Sequence, residues 1–200
     1  MDLNTSAKVY EILTNVGITN SLKIYKIFLS EKDKVIDGLQ KNEYDELVRI
    51  FLMTDSNRRI IVLKKIYDYI SKDDYKYNLF IEAYCYSEGN FRLNNKILTD
   101  IKKNFQKSHR ETINIEGEYV DIYRGVNSIS TVIGDDLSWS TNKETAIWFA
   151  KRVKSGDSCL YRGKIKKDNI ICFITTRGEN EVLAKYKDVE DISRIFITDM

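Results

Sequence analysis

The chain has 200 residues, 42% of them hydrophobic and 31% charged, with a formal net charge of +2. That composition fits one large or two small folded domains and excludes an intrinsically disordered chain. So weak a net charge does not by itself indicate nucleic acid or an anionic membrane as a partner, since long-range attraction to a polyanion needs a concentrated positive field.

The amino-terminal half reads as a series of helices. Val9, Ile12, Leu13 and Val16 recur at helical spacing over residues 5–16, and Gly17 ends the pattern. Ser21 can cap a second helix carrying Leu22, Ile24, Ile27 and Phe28. Residues 31–51 follow with Val35, Ile36, Leu39, Leu47, Val48 and Phe51. A break near Gly38 or Asn42 is expected, because glycine costs a helix interior about 1 kcal/mol relative to alanine. Beyond Asp55 and Ser56, the residues Ile60, Ile61, Leu63, Ile66, Tyr67 and Ile70 give a wide apolar face. Ser71-Lys72-Asp73-Asp74 then starts a helix filled by Leu79, Phe80, Ala83 and Tyr84, which Glu88-Gly89-Asn90 ends. The last helix of this half spans residues 94–107 and carries Lys96, Lys102, Lys103 and Lys107, followed by Arg110. The cluster is a solvated face in the simpler reading and a phosphate-binding patch in the other.

After Arg110 the texture changes to short alternating or apolar runs, which read as strands over residues 113–118 and 119–123. One helix is expected at 141–155, with Thr141 and Glu144 forming a capping box and Ala146, Phe149 and Ala150 packing. Residues 160–165, 169–175, 181–186 and 192–197 are further strands. The expected fold is α+β, a helical region over 1–110 followed by a mainly β region over 111–200 with one packed helix. The chain contains no proline, so its turns depend on Gly, Asn, Asp and Ser.

Cys85, Cys159 and Cys172 are scattered and His109 is the one histidine, so no Cys/His zinc site and no metal is expected. The cysteines read as buried thiols in a reducing compartment. Met1-Asp2-Leu3-Asn4 lacks the basic opening of a secretion signal, and no stretch reaches the roughly 18 apolar residues of a membrane span. A cytoplasmic location is the expectation.

Three stretches carry candidate chemistry. Arg177-Gly178-Glu179-Asn180-Glu181 follows an apolar run; if it is extended, Glu179 and Glu181 share one face at a sheet edge, suited to a cationic centre. Arg124 lies between Tyr123 and Gly125 at the end of a strand. Its planar fork suits phosphate oxygens there, and Gly125 keeps the approach open; a surface arginine before a turn is the plainer reading. In Ser138-Trp139-Ser140 the two hydroxyls can line a pocket with Trp139 packed behind them, close to the unpaired amides of the following helix.

In this order the arginine, the Ser-x-Ser and the Glu-x-Glu resemble the arginine, serine, glutamate class of mono-ADP-ribosyltransferases, over residues 119–200. The resemblance implies an ADP-ribosyltransferase-like core and NAD as the cofactor consumed. It implies that Arg124, Ser138, Ser140, Tyr123 and Trp139 line the cofactor site, and that Glu181 is catalytic, supported by Ser138. Glu179 matches the acid found in members that modify arginine. The tryptophan departs from the family's commoner threonine. The implied activity is transfer of ADP-ribose to a macromolecular acceptor, a host protein arginine first and nucleic acid second, as a toxin, effector or phage-encoded modifier. A neutralising partner is compatible with such an activity, and no membrane partner is implied. An NAD glycohydrolase on the same fold, or a nucleic-acid- or protein-binding module without catalysis, are the competing readings.

Overall fold

A computed structural model of the chain describes residues 44, 45, 48, 59–87, 93–130, 134, 137–153 and 158–197. The helices expected over 5–16, from Ser21 and across most of 31–51 lie outside the described residues, as do Glu88-Gly89-Asn90. The chain divides into two compact units, Met1–Asp100 and Ile101–Met200. The division expected near residue 110 lies just beyond the helix that crosses this boundary.

In the first unit, helix α1 (Arg59–Ile66) buries Ile60, Val62, Leu63 and Ile66 and packs on α2 (Asp73–Cys85), which buries Tyr77, Leu79, Phe80, Ala83 and Cys85. A 3-10 turn, Tyr67–Tyr69, tightens the end of α1. Helix α3 (Asn95–Ser108) crosses into the second unit. Asn94 caps α3, its side-chain oxygen accepting from the Ile97 amide at 2.8 Å. No helix among the described residues is long and apolar enough to cross a membrane.

The second unit is built on a six-stranded sheet in the order β4-β5-β2-β1-β3-β6, with every neighbouring pair antiparallel. The strands are β1 (Tyr119–Val126), β2 (Ser138–Ser140), β3 (Cys159–Lys166), β4 (Cys172–Ile174), β5 (Glu181–Leu183) and β6 (Val189–Phe196). The mixed α+β architecture is thus present in the described part of the chain. The long strands β1 and β3 pair over their full lengths, from Tyr119 opposite Lys166 to Val126 opposite Cys159. Between β3 and β6 the register slips between Arg162 and Lys164, where Asp191 adopts φ 52° and absorbs the extra residue.

The strand expected over residues 113–118 is irregular. Asn114 turns back to the Thr112 carbonyl at 3.1 Å, Lys167 takes the Ile115 carbonyl, and Gly117 turns the chain with φ 84°. Two other expected strands are shorter, because a 3-10 turn at Lys167–Asn169 precedes β4 and another at Tyr186–Asp188 follows β5.

Helix α4 (Lys143–Lys151) packs on β1, β2 and β3. Its cap is Asn142, whose side-chain oxygen accepts from the Thr145 amide at 3.1 Å, rather than the expected Thr141. The Thr141 amide donates to the Asn180 carbonyl, 3.0 Å away. On the inner face of α4, Ala146 and Ala150 are buried with Leu160 and Ile197, and Tyr123, Ile147 and Ile195 close the cluster. Gly125 lets the helix approach this closely: a β-carbon there would stand 1.9 Å from the Ala146 carbonyl oxygen and 2.6 Å from the Ala150 amide. Those are backbone atoms, which cannot swing aside as a flexible side chain can. Gly125→Ala is therefore expected to lower stability by about 1–3 kcal/mol through overpacking, and urea unfolding of the two chains measures the loss.

Candidate active site

The turn between β4 and β5 is set by backbone conformation. Gly178 has φ 71° and its amide donates to the Thr175 carbonyl at 2.8 Å, while Asn180 has φ 47°. Glycine enters the left-handed region without a steric penalty, and asparagine tolerates it better than most residues. The segment is consequently not extended, as simple alternation of Glu179 and Glu181 requires. The two carboxylates are brought together by a third group: Arg177 Nη2 lies 3.1 Å from Glu179 Oε2 and 3.4 Å from Glu181 Oε2. Nor is this a sheet edge. Strand β5 runs between β4 and β2, so Glu181 opens an interior strand and is only 5% exposed.

Such a buried carboxylate needs donors, since an ionised group taken from water is costly unless paired and hydrogen-bonded. The neighbouring strand supplies one. In β2, Ser138 Oγ donates to Glu181 Oε1 at 2.5 Å, and Ser140 Oγ donates to the Glu179 carbonyl at 2.7 Å. Register explains the meeting: Ser140 is opposite Glu181 and Ser138 opposite Leu183, so both serines come alongside β5. Ser140 Oγ also accepts from the Asn142 amide at 3.0 Å, which links the site to the start of α4.

Trp139 alternates to the other side, where it is 2% exposed and opposite Val182. Packing behind the serines is thus its observed position. Its indole N–H is buried without a partner among the described residues. Tyr123, also expected to line the cofactor site, packs on the Ala146, Ala150 and Leu160 cluster.

Arg124 lies inside β1 rather than at its end, the strand continuing to Val126. Its Nη1 donates to the Ser138 carbonyl at 2.6 Å. Arg124, Ser138 and Glu181 therefore form one chain of contacts across β1, β2 and β5, three strands that are neighbours in the sheet although far apart in sequence. Gly125 does not open an approach beside Arg124, because α4 fills the space at its α-carbon.

Arg177 is not among the candidate residues expected from sequence. The available signal is its charge: a cation two and four residues before two acids, with a glycine between, can fold back upon both. Glu179 and Glu181 thus share one cation at the turn, and Arg124 brings a second to the Ser138 carbonyl. Among the described residues no group of three or more His, Cys, Asp and Glu side chains is placed to hold a metal ion. The three cysteines are buried and unpaired with one another.

The basic cluster on α3 is largely engaged within each unit. In the first, Lys96 pairs with Asp68; in the second, Arg110 pairs with Asp168 at 2.8 Å and Lys102 bonds Asn169 at 3.5 Å. Comparison of the chain with protein-family models, with curated proteins and with solved structures finds no match.

Geometry alone yields one prediction at this site. A hydrogen bond to a charged acceptor contributes about 1.5–3 kcal/mol, so a double-mutant cycle of Ser138→Ala with Glu181→Gln is expected to show coupling of that order in urea unfolding. Additive losses would mean that the serine and the carboxylate do not interact.

Proposed function

We propose that the protein is a mono-ADP-ribosyltransferase that moves ADP-ribose from NAD to a macromolecular acceptor, with protein arginine the favoured group, and releases nicotinamide. The observation that carries the reading is the contact chain Arg124, Ser138, Glu181 with Glu179 beside it. These are the residue types, in the order along the chain, that the resemblance to the family rests on. The six-stranded sheet with α4 packed on it is the scaffold such an ADP-ribosyltransferase-like core would use.

Cleavage of the bond between nicotinamide and ribose develops positive charge on the sugar carbon, as glycoside hydrolysis does. Glu181 is suited to stabilise that charge. Its Oε1 is held by Ser138, which fixes the carboxylate's orientation before a substrate arrives, and Oε2 faces the Arg177 side. Through Oε2 it would accept a hydrogen bond from a ribose hydroxyl. Arg124 would position the dinucleotide's phosphates; a guanidinium carries five N–H donors, and the Ser138 carbonyl accepts from Nη1. Ser138 is a positioning residue as much as a pocket-lining one, since it joins the arginine's strand to the glutamate's.

Glu179 is the more accessible of the acids, its side chain 27% exposed against 7% for Glu181. It would meet an incoming guanidinium and take its proton as the new bond forms. An arginine side chain loses a proton with difficulty at neutral pH, so a carboxylate at the point of attack is needed there. Water in place of the acceptor would give hydrolysis of NAD by the same carboxylates.

The test is incubation of a cell lysate with the purified chain and isotopically labelled NAD, followed by mass spectrometry and a nicotinamide-release assay. Labelled macromolecules are expected, identifying the acceptor. Glu181→Gln is expected to reduce transfer and nicotinamide release together by at least about 100-fold, the scale on which removal of one transition-state stabiliser acts. Glu179→Gln is expected to reduce transfer more than release. Full transfer by the Glu181 variant would reject the assignment, while release without any labelled acceptor would make the enzyme a glycohydrolase.

A further inference from the structure

The two most exposed large apolar side chains among the described residues, Ile129 at 68% and Trp148 at 60%, stand on segments that are tied together. The tie is a hydrogen bond from Asn127 Nδ2 to the Phe149 carbonyl at 2.8 Å, which joins the turn after β1 to the last turn of α4. Ile129 is two residues from that bond and Trp148 one. Both are displayed by fixed structure. Asn127 organises the turn, its Oδ1 accepting from the Ile129 amide at 3.1 Å and from Ser130 Oγ at 3.2 Å, while the Ser130 amide donates to the Asn127 carbonyl at 3.0 Å. On the helix, Trp148 meets the Phe149 ring edge-on, with centroids 5.0 Å apart. Neighbouring apolar side chains held out to water in this way mark a contact surface.

Cations border the pair. Lys151 and Arg152 are exposed and follow Trp148 by three and four residues, so they share its side of the helix. The Arg152 guanidinium lies 4.9 Å from the Phe149 ring centre. Glu144, a turn before Trp148, is the one acid of α4 and is outnumbered by Lys143, Lys151 and Arg152. Such a local excess acts on an anionic surface within a Debye length, about 8 Å at physiological ionic strength, whatever the net charge of the whole chain.

We infer that this corner of the second unit docks on an anionic lipid surface. Trp148 takes the headgroup level that an indole prefers, Ile129 enters the acyl boundary, and the long stems of Lys151 and Arg152 carry their charges to the lipid headgroups. A lipid surface moulds itself around side chains that stand out from two separate elements, whereas a folded partner must match each with a pocket. Two apolar side chains with a few charges give reversible, peripheral attachment. Docking here uses none of the residues proposed for catalysis and does not depend on the transferase reading.

The fluorescence of the chain reports this contact directly. It has two tryptophans, and Trp139 is already buried at 2% exposure, so a change in environment on docking belongs to Trp148. The purified full chain is titrated with vesicles of phosphatidylcholine alone and of phosphatidylcholine mixed with phosphatidylserine, and cosedimentation is measured on the same samples. With the mixed vesicles, a blue shift, protection from acrylamide quenching and cosedimentation are expected, all reversed by added salt; neutral vesicles are expected to give little of each. Trp148→Ala and, separately, Ile129→Ser are expected to keep the circular dichroism of the parent chain and to lose cosedimentation. Reversing Lys151 and Arg152 together to glutamate is expected to weaken binding to the mixed vesicles by at least about tenfold. No shift with either vesicle, or an equal and salt-insensitive shift with both, would overturn the inference. A blue shift that grows with protein concentration in the absence of vesicles would overturn it too, and would give the surface to a second copy of the chain.

Discussion

Burying Glu181 sets a demand that much of the second unit answers. A carboxylate 5% exposed must find donors inside the protein, and they come from two directions: Ser138 from the adjacent strand and Arg177 from the preceding turn. Strand β2 must therefore run beside β5 in a register that brings both serines alongside Glu181. A shift by one residue would turn Ser138 and Ser140 away from β5's acid and put Trp139 in their place. The apolar surroundings argue the same way, since Trp139 is opposite Val182 and both are buried. Register is thus specified twice, by polar satisfaction on one side and by burial of the indole on the other.

The helix and the site are joined through short polar links. Asn142 caps α4 with its side chain while its amide donates to Ser140 Oγ, and that same hydroxyl donates to the Glu179 carbonyl. Thr141, between them, donates its amide to the Asn180 carbonyl. Three consecutive residues thereby connect the start of α4 to the turn that presents the acids. On the other side of the connection, Gly125 permits α4 to lie directly on β1, and β1 carries Arg124 to the Ser138 carbonyl. Helix seating and site geometry are consequently one packing problem.

Arg177 adds an electrostatic constraint. Two carboxylates held close repel one another, and a guanidinium between them relieves the repulsion at each. The charge is supplied locally, from the same turn.

Several features followed from local pattern alone. The helical spacing over residues 60–85 and 94–107, the alternation at Ser138-Trp139-Ser140 and the glycine turn at 178 each depend on neighbouring residues, and all are present in the structure. Other expectations changed because distant partners decided them. Thr141 has the chemistry of a cap, but Asn142 takes that role while the Thr141 amide donates to the Asn180 carbonyl. Gly125 reads as room beside an arginine, and only the packing of α4 shows what fills that room. The sequence by itself determined which residues can donate, accept, turn or pack, since those are properties of single side chains and short periods. Tertiary structure alone decided that Arg124, Ser138 and Glu181 are linked, that Trp139 is sealed in the core, and that Arg177 bridges the acids. These contacts depend on strand order and on backbone angles at Gly178 and Asn180, which place residues far apart in the chain a few ångströms from one another.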